Sequence, residues 1–377
     1  MPPLRVGILG FGFIGKVHAY AYRNMGLYHD PPPVETRLVG VCTRRHETAQ
    51  AARDLLGFEF VTTNWREITE NPDIDVVNIC TPNRFHAEAL LSAITHDKHI
   101  YCEKPMTASG DEARQVLAAM KAYRGVHQMT FNYRFVPATL RAKQLVEEGF
   151  LGEPLCFRAA YLHSGSADPE APLKWKLSRE WAGGGALYDL GSHVLDLLRH
   201  LLGEFTEIFS TTKTAFAERP SHEDPTKRIP VDTDDHALML LRTRSGALGS
   251  VEASKIATGA EDELRFEIHG TRGAVRFNLM EPNWLDCFDA TSPDQPIGGE
   301  RGWKRLATVH RYPSPAGWPG PKFTGGWMRA HVACLHNFLS AIASGSKAEP
   351  GLETGARIQE IMDAAYESDR TGRWISL

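Results

Sequence analysis

The sequence predicts an α/β protein in which an N-terminal Rossmann domain, a doubly wound parallel sheet, precedes an α+β domain with an open, largely antiparallel sheet. Short apolar runs alternate with longer helical stretches from residue 6 to residue 123. Closely spaced strand candidates replace this alternation after residue 205. The length of 377 residues exceeds the roughly 250 to 300 residues at which single cores stop growing. We therefore expect two domains, 1–126 and 127–377.

The first domain is predicted from strands that are apolar at nearly every residue, which is typical of a parallel sheet covered on both faces. Gly10 ends the first of these strands, and 81–83 follows the third. The predicted strands are 6–9, 38–42, 76–79, 99–102 and 126–131, and the predicted helices are 16–25, 47–57, 86–94 and 111–123.

The second domain is predicted from strands separated by short turns such as 244–246 and 270–273. Its predicted strands are 207–214, 237–243, 249–254, 264–269 and 273–278, and its helices are 137–148, 186–202, 327–343 and 352–369. The last helix is a candidate to pack back on the first domain. The segment 313–326, rich in proline and glycine, is predicted to be a loop.

Composition argues against several classes of protein. Lys and Arg total 42 and Asp and Glu 46, for a net charge of -4, which argues against nucleic acid or an anionic membrane as the main partner. No apolar run approaches the roughly 20 residues that span a bilayer, and the start of the sequence has no signal-like segment. We expect a soluble, cytoplasmic protein, and from six scattered cysteines we expect no disulfides.

Gly10, Gly12 and Gly15 form a G-x-G-x-x-G motif, with Phe13 and Ile14 inside it, between the first strand and the first helix. In this context the glycines let the backbone approach a pyrophosphate that lies at the helix N-terminus. A phosphate loop of a nucleotide triphosphatase is excluded because Val17 stands where the magnesium-binding hydroxyl is needed. The alternative is a purely structural glycine turn.

The end of the second strand bears on cofactor choice. Thr43, Arg44 and Arg45 stand where many NAD-binding domains place an acid for the ribose hydroxyls. A hydroxyl followed by two guanidinium groups suits a 2'-phosphate, so the cofactor is NAD or NADP, with NADP favoured. The alternative is that both arginines are simply solvated at a helix start.

Lys104 follows the fourth predicted strand in the tripeptide Glu103-Lys104-Pro105, at the sheet edge where ligands of open α/β sheets bind. Its ammonium there is suited to stabilise an alkoxide on a substrate. A surface lysine is the alternative.

Asp189 and His193 are four residues apart, with Asp196 three residues further on, so a helix would place all three on one face. His193 is a candidate base for a hydroxyl proton, with Asp189 as its orienting partner or a substrate contact. The alternative is a histidine satisfied by a polar patch. Trp175 is a candidate to stack under a sugar.

No metal is expected. His331, Cys334 and His336 are spaced three and two residues apart, which does not bring their side chains together on a helix, and we interpret them as packing residues.

Together these residues resemble the Gfo/Idh/MocA family of oxidoreductases across nearly the whole chain. The resemblance is carried by the glycine motif, Glu103-Lys104-Pro105, Asp189-x-x-x-His193, Thr81-Pro82-Asn83 with His86, and Asn132-Tyr133-Arg134. The segments 167–169, 172–175, 231–235 and 266–271 are similar to the branch of levoglucosan dehydrogenases and related sugar dehydrogenases.

The resemblance implies an enzyme in which Lys104 is the catalytic lysine and Asp189 and His193 are its partners. The residues expected to bind cofactor are Gly10, Gly12, Phe13, Ile14, Gly15, Thr43, Arg44, Arg45, Thr81, Pro82, Asn83, His86, Glu103 and Lys104. Those expected to bind substrate are Lys104, Tyr133, Arg134, His163, Trp175, Asp189 and His193, although His163 has no clear counterpart in the family pattern.

The predicted reaction is hydride transfer between nicotinamide and a secondary hydroxyl or ketone of a sugar, anhydrosugar or cyclitol. Three alternatives are an NAD-dependent glycosidase on the same fold, a dihydrodiol dehydrogenase and a catalytically silent sugar sensor. A sensor has no need of Lys104, Asp189 and His193 together. An open sheet leaves one apolar face uncovered, so we also expect a homodimer or homotetramer.

Overall fold

Alternating strands and helices build the first part of the chain in the computed structural model, which describes residues 2–377. The strands are β1 Leu4–Leu9, β2 Thr36–Cys42, β3 Phe60–Thr62, β4 Val76–Ile79, β5 His99–Cys102 and β6 His127–Met129. The helices are α1 Phe13–Tyr28, α2 His46–Leu56, α3 Arg66–Thr69, α4 His86–Thr95 and α5 Gly110–Ala119.

These six strands form one parallel sheet in the order β3-β2-β1-β4-β5-β6. This order confirms the predicted Rossmann sheet. From β1 the chain first adds strands on one side, β2 and β3, and then on the other side, β4 to β6. In such sheets ligands bind at the carboxyl ends of the strands on either side of this switch point, here β1 and β4. The sequence did not predict β3 or α3. Each is only three or four residues long, too short to show a periodic pattern.

The second part of the chain begins with helices and continues as a series of strands. The helices are α6 Pro137–Glu147, α7 Arg179–Ala182 and α8 Ser192–Leu202. The strands are β7 Pro154–Leu162, β8 Phe205–Lys213, β9 Glu218–Pro220, β10 Arg228–Pro230, β11 His236–Thr243, β12 Leu248–Ser254, β13 Glu263–Gly270, β14 Gly273–Asn278, β15 Trp284–Asp289 and β16 Trp303–Ala307. The chain ends with α9 Trp327–Ser344, α10 Leu352–Thr371 and β17 Ile375–Ser376.

Nine of these strands form a mixed sheet in the order β16-β15-β14-β13-β7-β12-β11-β8-β17, while β9 and β10 pair separately. Only the β7–β12 pair is parallel, so the predicted, largely antiparallel sheet is confirmed. The central strand of this sheet, β7, was not predicted from the sequence. It begins with proline, and only Phe157 and Tyr161 have high strand propensity, so pairing with its two neighbours determines its conformation.

The chain divides into two compact units that are each discontinuous in sequence. The first contains 2–135, 312–321 and 326–359, and the second contains 136–311, 322–325 and 360–377. In the first unit α9 packs against α1, where Val332, Leu335 and Phe338 join the core of the parallel sheet. The first residues of α10 belong to the first unit and the remainder to the second.

In the part of the chain that the structure describes, no helix has both the length and the apolar character that crossing a lipid bilayer requires. The six cysteines are unpaired thiols, and all but Cys156 are buried.

Candidate active site

The glycine motif forms a tight turn between β1 and α1 that is closed at two glycines and open at the third. Gly10 has φ +87, and a Cβ there would press against the Cys80 carbonyl at the end of β4. A Cβ on Gly15 would collide with the Gly10 carbonyl oxygen. A Cβ on Gly12 would meet nothing within 4 Å. The space above Gly12, at the N-terminus of α1, therefore fits a pyrophosphate group.

The Thr81 loop lies beside this turn, on the other side of the switch point between β1 and β4. The Thr81 hydroxyl is buried and has no hydrogen-bond partner among the described residues. Pro82 leads into a short 3-10 turn, in which Asn83 is buried, before α4. A buried hydroxyl without a partner next to an open glycine turn fits a site for a polar ligand such as a dinucleotide.

His86 connects the Thr81 loop, residues 81–83, to the segment Glu103–Pro105 that follows β5. Its Nε2 lies 2.8 Å from the Thr81 carbonyl oxygen and its Nδ1 lies 3.0 Å from the Pro105 carbonyl oxygen. The ring is fully buried, and burial lowers its pKa despite both carbonyl contacts. Both ring nitrogens therefore face main chain, which suits a residue that positions the two loops.

The glycine turn is also held through Phe13. The Phe13 ring, which is 75% exposed, stacks on Trp327 of α9 with centroids 5.6 Å apart. Trp327 Nε1 in turn donates a hydrogen bond to the Tyr133 hydroxyl at 3.1 Å. This arrangement brings Tyr133, predicted to bind substrate, next to the glycine turn within the first unit. Ile14 follows Phe13 in the first turn of α1, and Arg134 is buried beside Tyr133.

At the end of β2, Thr43 is buried and its hydroxyl donates to the Arg45 carbonyl oxygen at 2.7 Å. Arg44 and Arg45 are exposed. The two guanidinium groups are thus at the protein surface, where they are accessible to a ligand.

Lys104 follows β5, and the preceding residue is fixed by two hydrogen bonds. Glu103 is buried, its Oε1 lies 3.0 Å from Nε2 of His18, and its Oε2 accepts the Lys104 backbone N–H at 3.1 Å. Burial would raise the pKa of the Glu103 carboxyl, but the hydrogen bond and charge of His18 outweigh burial and lower it. His18 was not predicted, because a histidine three residues after Gly15 carries no signal on its own.

His331, interpreted from the sequence as a packing residue, lies near this pair. One ring nitrogen of His18, one ring nitrogen of His331 and one carboxylate oxygen of Glu103 lie within 4.8 Å of one another, and all three residues are buried. The 3.0 Å separation of His18 and Glu103 is an ordinary N–H···O hydrogen-bond length. We therefore interpret the group as a hydrogen-bonded ion pair with a neighbouring histidine.

In the second unit, the predicted helix 186–202 begins as a π-helical turn over Leu187–Gly191 and continues as α8. Asp234 caps its start: its Oδ1 accepts the Gly185 N–H at 2.9 Å and its Oδ2 accepts the Leu187 N–H at 2.8 Å. Gly185 is required here because a Cβ would collide with the main chain of Asp234. The wider π turn changes the regular α-helical spacing that the sequence analysis assumed between Asp189 and His193.

Asp189 projects from the π turn and forms ion pairs with two lysines that the sequence analysis missed. Lys176 Nζ lies 2.9 and 3.1 Å from its two carboxylate oxygens, and Lys255 Nζ lies 3.5 Å from Oδ2. Lys255 is buried, whereas Lys176 is half exposed and lies next to Trp175. Two ammonium groups thus lie beside this one carboxylate.

His193 lies in the first turn of α8 and is buried, as is Asp196 further along. Its ring makes a T-shaped contact with Tyr161 of β7 at 5.8 Å. The Tyr161 hydroxyl donates to Asp262 Oδ1 at 2.6 Å, and the same oxygen lies 2.9 Å from His163 Nε2. Tyr161 therefore stands between His163, which was predicted, and His193, and both Tyr161 and Asp262 were missed.

The structure therefore groups the predicted residues within each unit. The first unit brings together the glycine turn, the Thr81 loop, His86, Glu103 and Lys104. In the second unit, Asp189 pairs with Lys176 beside Trp175, and His163 and His193 both contact Tyr161.

Two family models cover most of the chain. Residues 4–131 match "Oxidoreductase family, NAD-binding Rossmann fold", and residues 143–377 match "Oxidoreductase family, C-terminal alpha/beta domain", both of the Gfo/Idh/MocA family.

Curated relatives and solved structures agree with these matches. Levoglucosan dehydrogenase of Pseudarthrobacter phenanthrenivorans is 37% identical over 100% of this chain and 99% of its own length. D-glucoside 3-dehydrogenase of Escherichia coli is 33% identical over 100% of this chain and 98% of its own. The structure of levoglucosan dehydrogenase in complex with NADH and levoglucosan superposes with a TM-score of 0.94 at 37% identity, covering 100% of this chain and 99% of that one.

Proposed function

The chain belongs to the Gfo/Idh/MocA family of NAD(P)-dependent oxidoreductases, and from this premise we propose that it transfers a hydride between nicotinamide and a secondary hydroxyl or ketone on a sugar, anhydrosugar or cyclitol ring. The observation that supports this most directly is the open glycine turn at the switch point of the parallel sheet, with Lys104 following β5, which pairs with β4.

The residues that would hold the cofactor are the glycine turn with Phe13 and Ile14, the Thr81–Asn83 loop and the end of β2. Gly12 leaves room for the pyrophosphate, and Thr81 offers a buried hydroxyl. His86 positions the loops around it through main-chain carbonyls. When bound, nicotinamide accepts or supplies the hydride.

Lys104 and His193 carry the proton and charge chemistry in this proposal. In the oxidation direction His193 would accept the proton of the substrate hydroxyl while the hydride leaves the carbon that bears this hydroxyl. The Lys104 ammonium donates a hydrogen bond to the substrate oxygen and stabilises its negative charge. In the reverse direction His193 returns the proton to the oxygen.

Asp189 has a binding role that the two lysines define. A carboxylate flanked by Lys176 and Lys255 accepts hydrogen bonds and has no proton to donate, so it suits a sugar hydroxyl. Trp175 adds a partly exposed aromatic face beside Lys176 for an apolar face of a sugar ring. Tyr133, Arg134 and His163 complete the proposed substrate contacts.

For the cofactor we propose NADP over NAD on the chemistry at the end of β2, where the exposed Arg44 and Arg45 suit a 2'-phosphate. The NADH in the structure of the 37% identical relative supports the rival choice. Affinity measurements with both cofactors decide between them.

We further propose that a second copy of the chain covers the outer face of the mixed sheet. Leu238 and Leu240 are exposed on β11, and the groove they line also contains Arg158, Glu252, Arg265 and Glu267. Both charges occur on one face, so two copies related by a two-fold axis complement each other. A dimer, or a tetramer made of two such dimers, follows.

A substrate screen tests the proposed reaction. The purified chain is mixed with NAD or NADP and with an anhydrosugar, aldoses, cyclitols or a dihydrodiol, and the absorbance of reduced nicotinamide is followed. Levoglucosan is the first candidate because the 37% identical relative is named levoglucosan dehydrogenase. We expect turnover with at least one ring polyol and a loss of turnover in His193→Ala.

Other outcomes identify the rivals. Release of an aglycone with tightly held cofactor and no net reduction indicates the glycosidase. Cofactor and sugar binding without any turnover indicates the sensor, and turnover restricted to the dihydrodiol indicates that dehydrogenase; each of these overturns the proposal.

A further inference from the structure

A buried histidine and a carboxylate lie next to the backbone of the lysine in the proposed reaction. His18, in α1, is 1% exposed, and Glu103, directly before Lys104, is 7% exposed. The two are 85 residues apart in sequence, and their side chains meet at 3.0 Å.

The hydrogen bonds of His18 place a proton between the two side chains. Asn78 Nδ2 donates to the Cys80 sulfur at 3.0 Å, so the Asn78 amide oxygen points at Nδ1 of His18, 3.1 Å away. Nδ1 therefore carries a proton that it donates to Asn78. With Nδ1 protonated, a neutral ring would turn a lone pair on Nε2 toward the Glu103 carboxylate, which is repulsive. A second proton, on Nε2, removes this repulsion.

The other Glu103 oxygen accepts the backbone N–H of Lys104 at 3.1 Å. His18 and the lysine backbone thus hold the two oxygens of one carboxylate. This arrangement fixes the main chain from which the Lys104 side chain begins.

We propose that His18 is a positioning residue for Lys104: as an imidazolium it holds the Glu103 carboxylate ionised and oriented, and that carboxylate fixes the lysine backbone. This role for His18 rests on the proposed function, in which Lys104 stabilises charge on the substrate oxygen.

The groups that face His18 support the charged form. Glu103 and Cys80 are in hydrogen-bond contact, the Tyr101 ring lies 5.0 Å away and the His331 ring 6.0 Å away. Burial lowers the pKa of His18, but Cys80 and Glu103 together raise it to about 10. The charges of Lys104 and His331 also lower the pKa of Glu103, after the larger effects of His18. The pair is therefore charged over the whole neutral range.

The test uses His18→Gln, Glu103→Gln and the double variant in the full-length protein. Glutamine preserves a hydrogen-bond donor at position 18 but removes the charge, so burial raises the pKa of Glu103. The kcat of His18→Gln should fall about 10- to 100-fold, and the acid limb of its kcat–pH profile should move up by about one pH unit or more. Cofactor dissociation constants should change less than about threefold, because the turn of Gly12 is untouched.

The double variant shows whether His18 acts through Glu103. If it does, His18→Gln/Glu103→Gln has nearly the same kcat as Glu103→Gln alone, because the partner is already gone. Additive losses would overturn the proposal. His127→Gln is the matched control: His127 is a largely buried histidine whose Nε2 lies 3.8 Å from Glu353 in the same unit. The His127→Gln variant should at most be less stable than the wild type, and its kcat–pH profile should be unchanged.

A readout without activity keeps the proposal testable if no sugar is turned over. Histidine labelled with a stable isotope allows the chemical shift of the His18 ring to be followed by NMR as the pH is changed. In the wild type the shift should show a protonated ring above pH 8. In Glu103→Gln the ring should lose its proton at a lower pH. A wild-type His18 that is neutral at pH 7 contradicts the proposal whatever the substrate screen finds. Loss of activity with a chelator, restored by Zn²⁺, would also contradict it, since a metal would then occupy the position of the proton. If His18→Gln does not fold, the Glu103→Gln titration carries the test.

Discussion

His193 holds the proton in the proposed reaction, and its environment makes the prediction specific. It is buried at the start of α8 and packs against Tyr161. His193→Ala should lower kcat by roughly 10²- to 10⁴-fold while the cofactor dissociation constant stays nearly unchanged. His200→Ala, on the same helix, is the control and should retain turnover. A His193→Ala variant with near wild-type kcat at neutral pH removes the histidine from the mechanism.

Lys104 is expected to be at least as sensitive, because it supplies a charge to the substrate oxygen. Lys104→Met keeps much of the length of the side chain but removes the ammonium, and kcat should fall by about 10²-fold or more. The exposed Lys121→Met, in the same unit, should have no effect. Equal kcat values in the two variants would show that Lys104 is the surface lysine of the alternative interpretation.

The arginines after β2 give a prediction about cofactor choice. A charge-assisted contact with a 2'-phosphate contributes about 1.5 to 3 kcal/mol, so Arg44→Ala or Arg45→Ala should weaken NADP binding roughly ten- to a hundredfold. NAD affinity should stay constant, and it serves as the internal control. Dissociation constants measured by nicotinamide fluorescence provide the values. Tighter wild-type binding of NAD, or unchanged NADP affinity in both variants, means that the arginines are only solvated.

Within the glycine turn, Gly12 has a predicted role in binding and Gly15 a predicted role in folding. Gly12→Val places a side chain into open space, so cofactor affinity should fall by at least about tenfold with little change in Tm. Gly15→Ala forces a Cβ against the Gly10 carbonyl, so Tm itself should fall. Gly26→Ala, in the last turn of α1 with open space around it, is the control and should bind normally. Equal loss of Tm in Gly12→Val and Gly15→Ala would contradict this division.

The second-unit helix shows how an element can be predicted while its internal geometry is not. Its existence follows from apolar periodicity over 186–202, and α8 agrees with that prediction. The π turn at its start depends instead on Asp234, which caps Gly185 and Leu187. A carboxylate 47 and 49 residues away in sequence gives no local signal.

The outer face of the mixed sheet predicts that copies of the chain assemble. Leu238→Asp with Leu240→Asp places two carboxylates on the proposed contact, and light scattering should shift from a dimer or tetramer to a single chain. Leu55→Asp, an exposed leucine on α2, should leave the mass unchanged. A wild-type mass of one chain at micromolar concentration would contradict the proposed assembly.

The parallel sheet, the glycine turn and the position of Lys104 at a strand end could be predicted from the sequence. These features depend on neighbours in the chain: apolar runs that alternate with helices, and loops that must meet at one sheet edge because parallel strands end there. The tertiary structure alone decided which residues surround the predicted ones. His18 meets Glu103, Lys255 meets Asp189, and β7 takes the centre of the mixed sheet. Each depends on contacts between distant segments, because burial and pairing partners, unlike periodicity, are not recorded in local sequence.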